Sequence, residues 1–418
     1  MKKVSEKERE YLRELAKKQL EYANLPVMHE REALWYEHND ASGHRPVVIL
    51  ELNPFGSGLV TELKCDSELG VIIEKQLMKN IANHELVNDD KVIPTHFEVP
   101  WKLENDHFGL KIEHVTTKMA DNSKSIAYKM IHPIKDLEKD FEKLRPSRFS
   151  CDREGTRQLA DDVLELIGDV LPVKLVNTSL SWHFAITYHV VELMGLENMM
   201  FSMIDYPERF HQLMSFLQQD LLGCAKWQEK EGLLTLNNGN HYAGAGSYGF
   251  TKQLPAAGFD GRVRTQDLWV NMNSQESSSI SPQMYQEFIL PYYIETAKHF
   301  GLIYYGCCEP VHDVWEDGVK NLNHLKKVSV SPWCDEEFMG ERLRGSKVIY
   351  SRKPSPNYIA VDDRFDEEAY AKHIENTLKC ARGCKLEFIL RDICTLKGDK
   401  KRAENAVNVI REQINRYY

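Results

Sequence analysis

The stretch SPQMYQEFILPYYIETAKHFGLIYYGCCEP, residues 281–310, contains one complete helix-to-strand unit. Ser281 followed by Pro282 is a helix start, a capping hydroxyl with proline in the first turn. Gly301 is a stop, and Pro291 lacks the amide proton that a continuous helix needs, so a kink is expected there. LIYY (302–305) is a short aromatic and β-branched run of the kind that forms a strand buried on both faces. A thiol-rich turn, GCCEP (306–310), follows directly.

The same alternation runs through the chain. Seven further β-rich runs are PVVILEL (46–52), VIPTHFEVP (92–100), VKLVNTS (173–179), LWVNMN (268–273), KVSVSP (327–332), KVIYSRK (347–353) and KLEFILRDI (385–393). Helical patterns over 207–232, 366–383 and 401–414 have proline or aspartate at the first two starts and glycine at the first two ends. Strands alternating with helices predict βαβ units and a parallel sheet. Eight units fit an α/β fold of the closed (β/α)8 TIM-type barrel class, with an open doubly wound sheet as the alternative.

Residues 1–42 read as an N-terminal helical extension with Tyr11, Leu12, Leu15 and Leu20 on one face, and 43–418 as the barrel. Two insertions interrupt it. Residues 105–150 read as hairpin strands plus a short helix. Residues 233–266 are rich in Gly and Asn and read as a long loop that approaches a ligand or lies on the surface.

Composition narrows the function. The chain has 418 residues, 42% hydrophobic and 28% charged, which excludes a disordered chain or a small disulfide scaffold. A formal net charge of −10 without a long basic run argues against nucleic-acid binding. No run approaches the ~18 apolar residues of a membrane span. No apolar leader segment is evident, and nine cysteines are an odd number; both are expected of a cytoplasmic protein with free or metal-bound thiols. There is no GxGxxG after a strand, P-loop, GxSxG or HExxH.

The densest chemistry is YYGCCEP (304–310), at the C-terminal end of a predicted strand, where barrel enzymes keep their active sites. If the strand persists, Tyr305, Cys307 and Glu309 share a direction and Cys308 points the other way. Cys394, beside Asp392, ends the last strand. Two thiolates with a carboxylate or imidazole form a zinc set, and ordinary packing thiols are the alternative. His241 could be delivered to such a site by the Gly-rich loop. Glu51, His96, Trp101, Asn177 and Glu276 fall at or near strand ends, and Tyr242, Tyr248, Trp269 and Trp333 add aromatic character. Together they predict a mouth for a polar or aromatic small molecule.

SISPQMYQEFILPYY (279–293), GHRPVVILELNPF (43–55) and MGLENMMFSMIDYPERFHQLM (194–214) resemble the uroporphyrinogen decarboxylase superfamily, whose fold is a (β/α)8 barrel. ELNPF stands where the decarboxylases carry an Arg-rich motif, and Asn273-Ser274 where a catalytic Asp is expected. The resemblance therefore points to the zinc-dependent, corrinoid-linked methyltransferases. It implies zinc on Cys307 and Cys394, with Tyr305 standing in the place of a histidine and Glu309, Cys308 or His241 as the replacement ligand. The expected activity moves a methyl group between an aryl methyl ether, methylamine or betaine and a thiol or a corrinoid on a partner protein. Glu309, Glu276 and Asp392 are the expected acid–base groups, and Glu51, His96, Trp101, Asn177, Tyr248 and Tyr305 the expected substrate contacts. Metal-free decarboxylation of a small carboxylate, with Arg352, Lys353 and Arg391 as cations, and a non-catalytic binding barrel are the alternatives.

Overall fold

A computed structural model describes residues 3–40, 43, 45–118 and 125–418. The expected boundary at residue 42 and the tip of the first insertion, 119–124, lie outside the described residues. Helices α1 (Glu6–Ala23) and α2 (Pro26–Asn39) precede strand β1 (Val47–Leu50). Then come α3 (Glu68–Leu86), β2 (Phe97–Pro100), α4 (Arg153–Ile167), β3 (Val173–Val176) and the long α5 (Pro207–Lys230). The chain continues through β4 (Trp269–Met272), α6 (Pro282–Phe288), α7 (Leu290–Ala297), β5 (Leu302–Tyr305), β6 (Leu325–Val330) and β7 (Ile349–Arg352). It closes with α8 (Glu367–Cys380), β8 (Lys385–Leu390) and α9 (Lys401–Tyr417).

Local signals account for these elements. Ser281 caps α6 by accepting from Met284 N at 3.2 Å, and the helix breaks at Ile289, two residues before Pro291. Gly232, Gly383 and the α8 cap Asp366 likewise stand where the sequence places them. The first insertion forms a hairpin of Glu113–Lys118 with Ser125–Ile131, then a short helix, Leu137–Asp140.

All eight expected strands form, in two parallel sheets. Six pair in the order β1-β8-β7-β6-β5-β4, and β2 pairs with β3. The architecture is thus mixed α/β with a six-stranded parallel sheet at its centre. The ladders thin out at the outer edges of β1 and β4: β4 keeps a single parallel bridge, Met272 to Phe184, and side chains meet much of the rest. Asp89 and Asp90 accept from Leu50 N at 2.8 Å and Val48 N at 2.9 Å, and Asp90 N donates to Val48 O at 2.9 Å. On the other edge, Asn237 Oδ1 accepts from Trp269 N at 2.8 Å while its Nδ2 donates to Trp269 O at 3.0 Å. One amide side chain imitates a neighbouring strand.

The sheet has two unlike faces. Val48, Leu50, Val270, Ile303, Val328, Tyr350 and Phe388 pack in one core with α5, α7, α8 and α9. The opposite face carries Asn271, Tyr304, Lys327, Ser329, Ser351 and Glu387, all buried. There Glu387 accepts from Lys327 Nζ at 2.9 Å and Ser247 Oγ at 3.0 Å, and lies 3.0 Å from His38 Nε2 of α2. The N-terminal helices are therefore tied to the sheet. Leu12, Leu15 and Ala16 of α1 also pack with α3, α4 and β2.

Replacing Asn237 by Ala leaves the buried Trp269 amide without a partner. Chemical denaturation should register a loss of about 1–3 kcal/mol; an unchanged midpoint would mean that the edge is satisfied some other way.

Candidate functional site

The interruption between the two sheets is hollow. A cavity of about 330 Å³ is lined by Glu98 of β2, Val176 of β3, Trp269 and Asn271 of β4, and His241 and Tyr242 of the second insertion, among others. A smaller space of about 100 Å³ lies along Ile49 and Leu50 of β1 and the following Glu51. Lys79, Lys91, Tyr242 and Tyr248 line both, so both edge strands of the large sheet and the two-stranded sheet face one connected space. The larger volume falls in the usual small-molecule range. The Gly-rich insertion approaches because it can: a Cβ on Gly244 would lie 2.6 Å from Asn271 Oδ1, and one on Gly246, at φ +89, 2.4 Å from Ile389.

A second group of residues adjoins the β1 side. Arg391 Nε is 3.4 Å from Glu51 Oε2 and its guanidinium lies 5.3 Å over the Trp182 ring. Cys307 and Cys308 have sulfurs 3.4 Å apart, and Cys308 Sγ is 3.8 Å from Asp392 Oδ2. Cys307 is held as the thiol, first by its hydrogen bond to Cys308 and then by burial. The same bond holds Cys308 below the ordinary thiol value. The charge of Arg391 favours both thiolates.

The expected site residues divide between this region and elsewhere. Glu51, Tyr248, Asn177 and His241 line the cavity. Asn177 is engaged there, its Nδ2 donating to Gln228 Oε1 at 2.8 Å. His96 lies beside it, with Nε2 3.3 Å from Glu98 Oε1. Burial keeps His241 toward its neutral form. Trp101 does not line the space and instead has Arg153 5.8 Å over its ring. Trp333 is exposed.

Tyr305 is on the helix side of the sheet, fully buried, its hydroxyl 2.7 Å from both Ser274 Oγ and Tyr285 Oη. The strand ends at Tyr305, and Gly306, at φ +97, turns the chain, so the alternation that grouped Tyr305 with Cys307 does not continue. Glu309 accepts from Ser274 N at 2.9 Å and Cys307 N at 2.7 Å, and so holds the turn together. Glu276 accepts from Thr187 Oγ1 at 2.7 Å. Arg352 is paired with Glu336 at 2.5 Å, and Lys353 is buried against Tyr304 and Ser351.

Zinc is the metal that the resemblance implies, and the residues as placed do not fit it. Among the described residues no three or more His, Cys, Asp or Glu side chains form a group able to hold a metal. Cys394 is exposed, with its sulfur 4.0 Å from Asp392 O, and Glu309 is used by two backbone amides. His241 lines the larger cavity with Glu98 and feels the charges of Glu98 and His96. No step below is routed through a metal.

Three cavity residues escaped sequence reasoning. Lys79 and Lys91 carry no motif, and Asn271 is one polar residue in LWVNMN, a weak signal of an inward-facing position.

No family model and no curated protein matches the chain. Among solved structures it is similar to a methyltransferase from Methanosarcina mazei, at 12% identity and a TM-score of 0.49, over 91% of this chain and 98% of that one. A likeness of that size assigns no role to the residues here.

Alkylation with iodoacetamide, followed by peptide mass spectrometry, should label Cys308 faster than exposed Cys394 below pH 8, since a lowered pKa keeps the thiolate present at lower pH. Cys307→Ala should remove that advantage. Labelling of Cys394 first at every pH would contradict the thiol–thiolate pair.

Proposed function

We propose that this chain is a methyltransferase. It holds a small methylated molecule in the cavity between its sheets and hands the methyl group to a thiol or to a corrinoid on a separate protein. In this reading the eight parallel strands are those of a (β/α)8 barrel whose pairing is interrupted at the cavity. The observation that carries the proposal is the Cys307–Cys308 pair beside Arg391, whose partner Glu51 lines the β1 part of that cavity. It supplies a sulfur held toward thiolate, the nucleophilic form.

Removing a methyl group from oxygen or nitrogen asks for a dry pocket and a hydrogen-bond donor at the atom left behind. Trp269, Leu268 and Leu236 give apolar wall. Tyr242 and Tyr248 line both parts of the space and are kept as phenols, chiefly by burial, so each offers an O–H. Glu98 stays ionised despite burial, because His96 hydrogen-bonds to it, and it suits a donor that carries a positive charge.

Metal-free decarboxylation of a small carboxylate is the second reading, favoured by Lys79 and Lys91 on the cavity wall. One assay separates the two. The protein is incubated with aryl methyl ethers, methylamines and betaines plus a reduced corrinoid, and both the visible spectrum and released CO2 are followed. Methyl transfer, with a loss on the order of 100-fold in Tyr242→Phe, is the expected result. CO2 release without methyl transfer would replace this reading by the second, and neither product would overturn both.

A further inference from the structure

The cavity carries its own description of a ligand. At the junction of its two parts stand Lys79, from α3 and open to solvent at its outer end, and half-buried Lys91. Among the described residues no carboxylate comes within ion-pair distance of either ammonium. Lys91 Nζ donates to Asn80 Oδ1 at 3.3 Å, a neutral partner. Burial and then the charge of Lys79 lower the Lys91 pKa to about 8, against the charges of Asp89 and Glu98, which raise it. Two ammonium groups on one wall without a direct ion-pair partner are a place for an anion.

The opposite end is neutral and unsatisfied. Asn271, on β4, is only 2% exposed, lines the cavity, and has neither Oδ1 nor Nδ2 hydrogen-bonded. A buried amide with both atoms unpaired is costly. Gly244 of the insertion comes close to it and has no side chain to offer. A hydroxyl answers both atoms at once, donating to Oδ1 and accepting from Nδ2. Glu98 lines the same space, stays ionised, and shares the charge of Lys91.

We propose that this cavity selects a hydroxylated organic carboxylate, its carboxylate held between Lys79 and Lys91 and its hydroxyl on Asn271. The inference rests on the reading that this space is the substrate site, but not on which bond is broken there. It is tested by binding alone, so failed methyl transfer leaves it standing.

The experiment is calorimetric titration of the full chain with 4-hydroxybenzoate and 3-hydroxybutyrate. Benzoate, butyrate and 4-hydroxybenzyl alcohol are the controls. At least one hydroxylated carboxylate should bind, and its counterpart lacking either the carboxylate or the hydroxyl should bind roughly tenfold more weakly or worse. Lys91→Met should weaken binding by a similar factor and Lys79→Arg should preserve it. Asn271→Leu should abolish the preference for the hydroxyl while carboxylate binding persists. Thermal melting of each variant checks that it is folded. Equal binding of the neutral alcohol, Lys91→Met binding like the unaltered chain, or no binding of either hydroxylated probe at millimolar concentration would overturn the proposal.

Discussion

Backbone amides at a sheet edge must find partners, and here side chains supply them. Asp89 and Asp90 cap one edge strand, and Asn237 caps the start of the other, whose end bridges to Phe184. Because these caps stand where a ninth and tenth strand would pair, the six-stranded sheet stops without exposing a reactive edge. The two-stranded sheet is then free to sit apart, and the space left between them becomes the cavity. Remove the caps and the same backbone groups would have to be met by a neighbouring strand, which would fill the space that holds the candidate site.

The caps also explain why the inner face tolerates so much polarity. Lys327, Glu387, His38 and Ser247 are mutually bonded at zero or near-zero exposure, so each charge has its counter-charge or a hydrogen bond. Asp90 is held ionised in the same way. Burial pushes it up, but Arg45 and Arg411 outweigh that and keep it below the usual carboxylate range. Glu387 keeps one oxygen unpartnered, whereas Asn271, which lines the cavity, has both amide atoms unpaired. An amide buried with both of its atoms unpaired is rare enough to be informative.

Much of this was legible in the chain. Ser281, Pro291, Gly301 and Gly383 are local signals, and local signals placed the helix ends and all eight strands. Pairing was not legible, since nothing near residue 237 announces a partner 32 positions on, at Trp269. The site was legible in part. Glu51, His241 and Tyr248 reach the cavity because they lie on its strands and its insertion. Tyr305 was misdirected because strand alternation was carried past Gly306, whose positive φ ends it. Glu309 and Glu276 looked chemical in sequence and are occupied in the fold by backbone amides and a hydroxyl. Lys79 and Lys91 come together only through the packing of α3 against the β1 cap, a long-range fact with no sequence signature.

The central claim is that side chains satisfy the outward amides of Val48, Leu50 and Trp269 at the two edges of the large sheet. Native-state hydrogen exchange at the amides of Val48, Leu50 and Trp269 tests it most directly. The account predicts protection comparable to that of Val328 and Phe388 in the interior strands. Exchange at those three amides orders of magnitude faster than at the interior positions, as at an open edge, would contradict it.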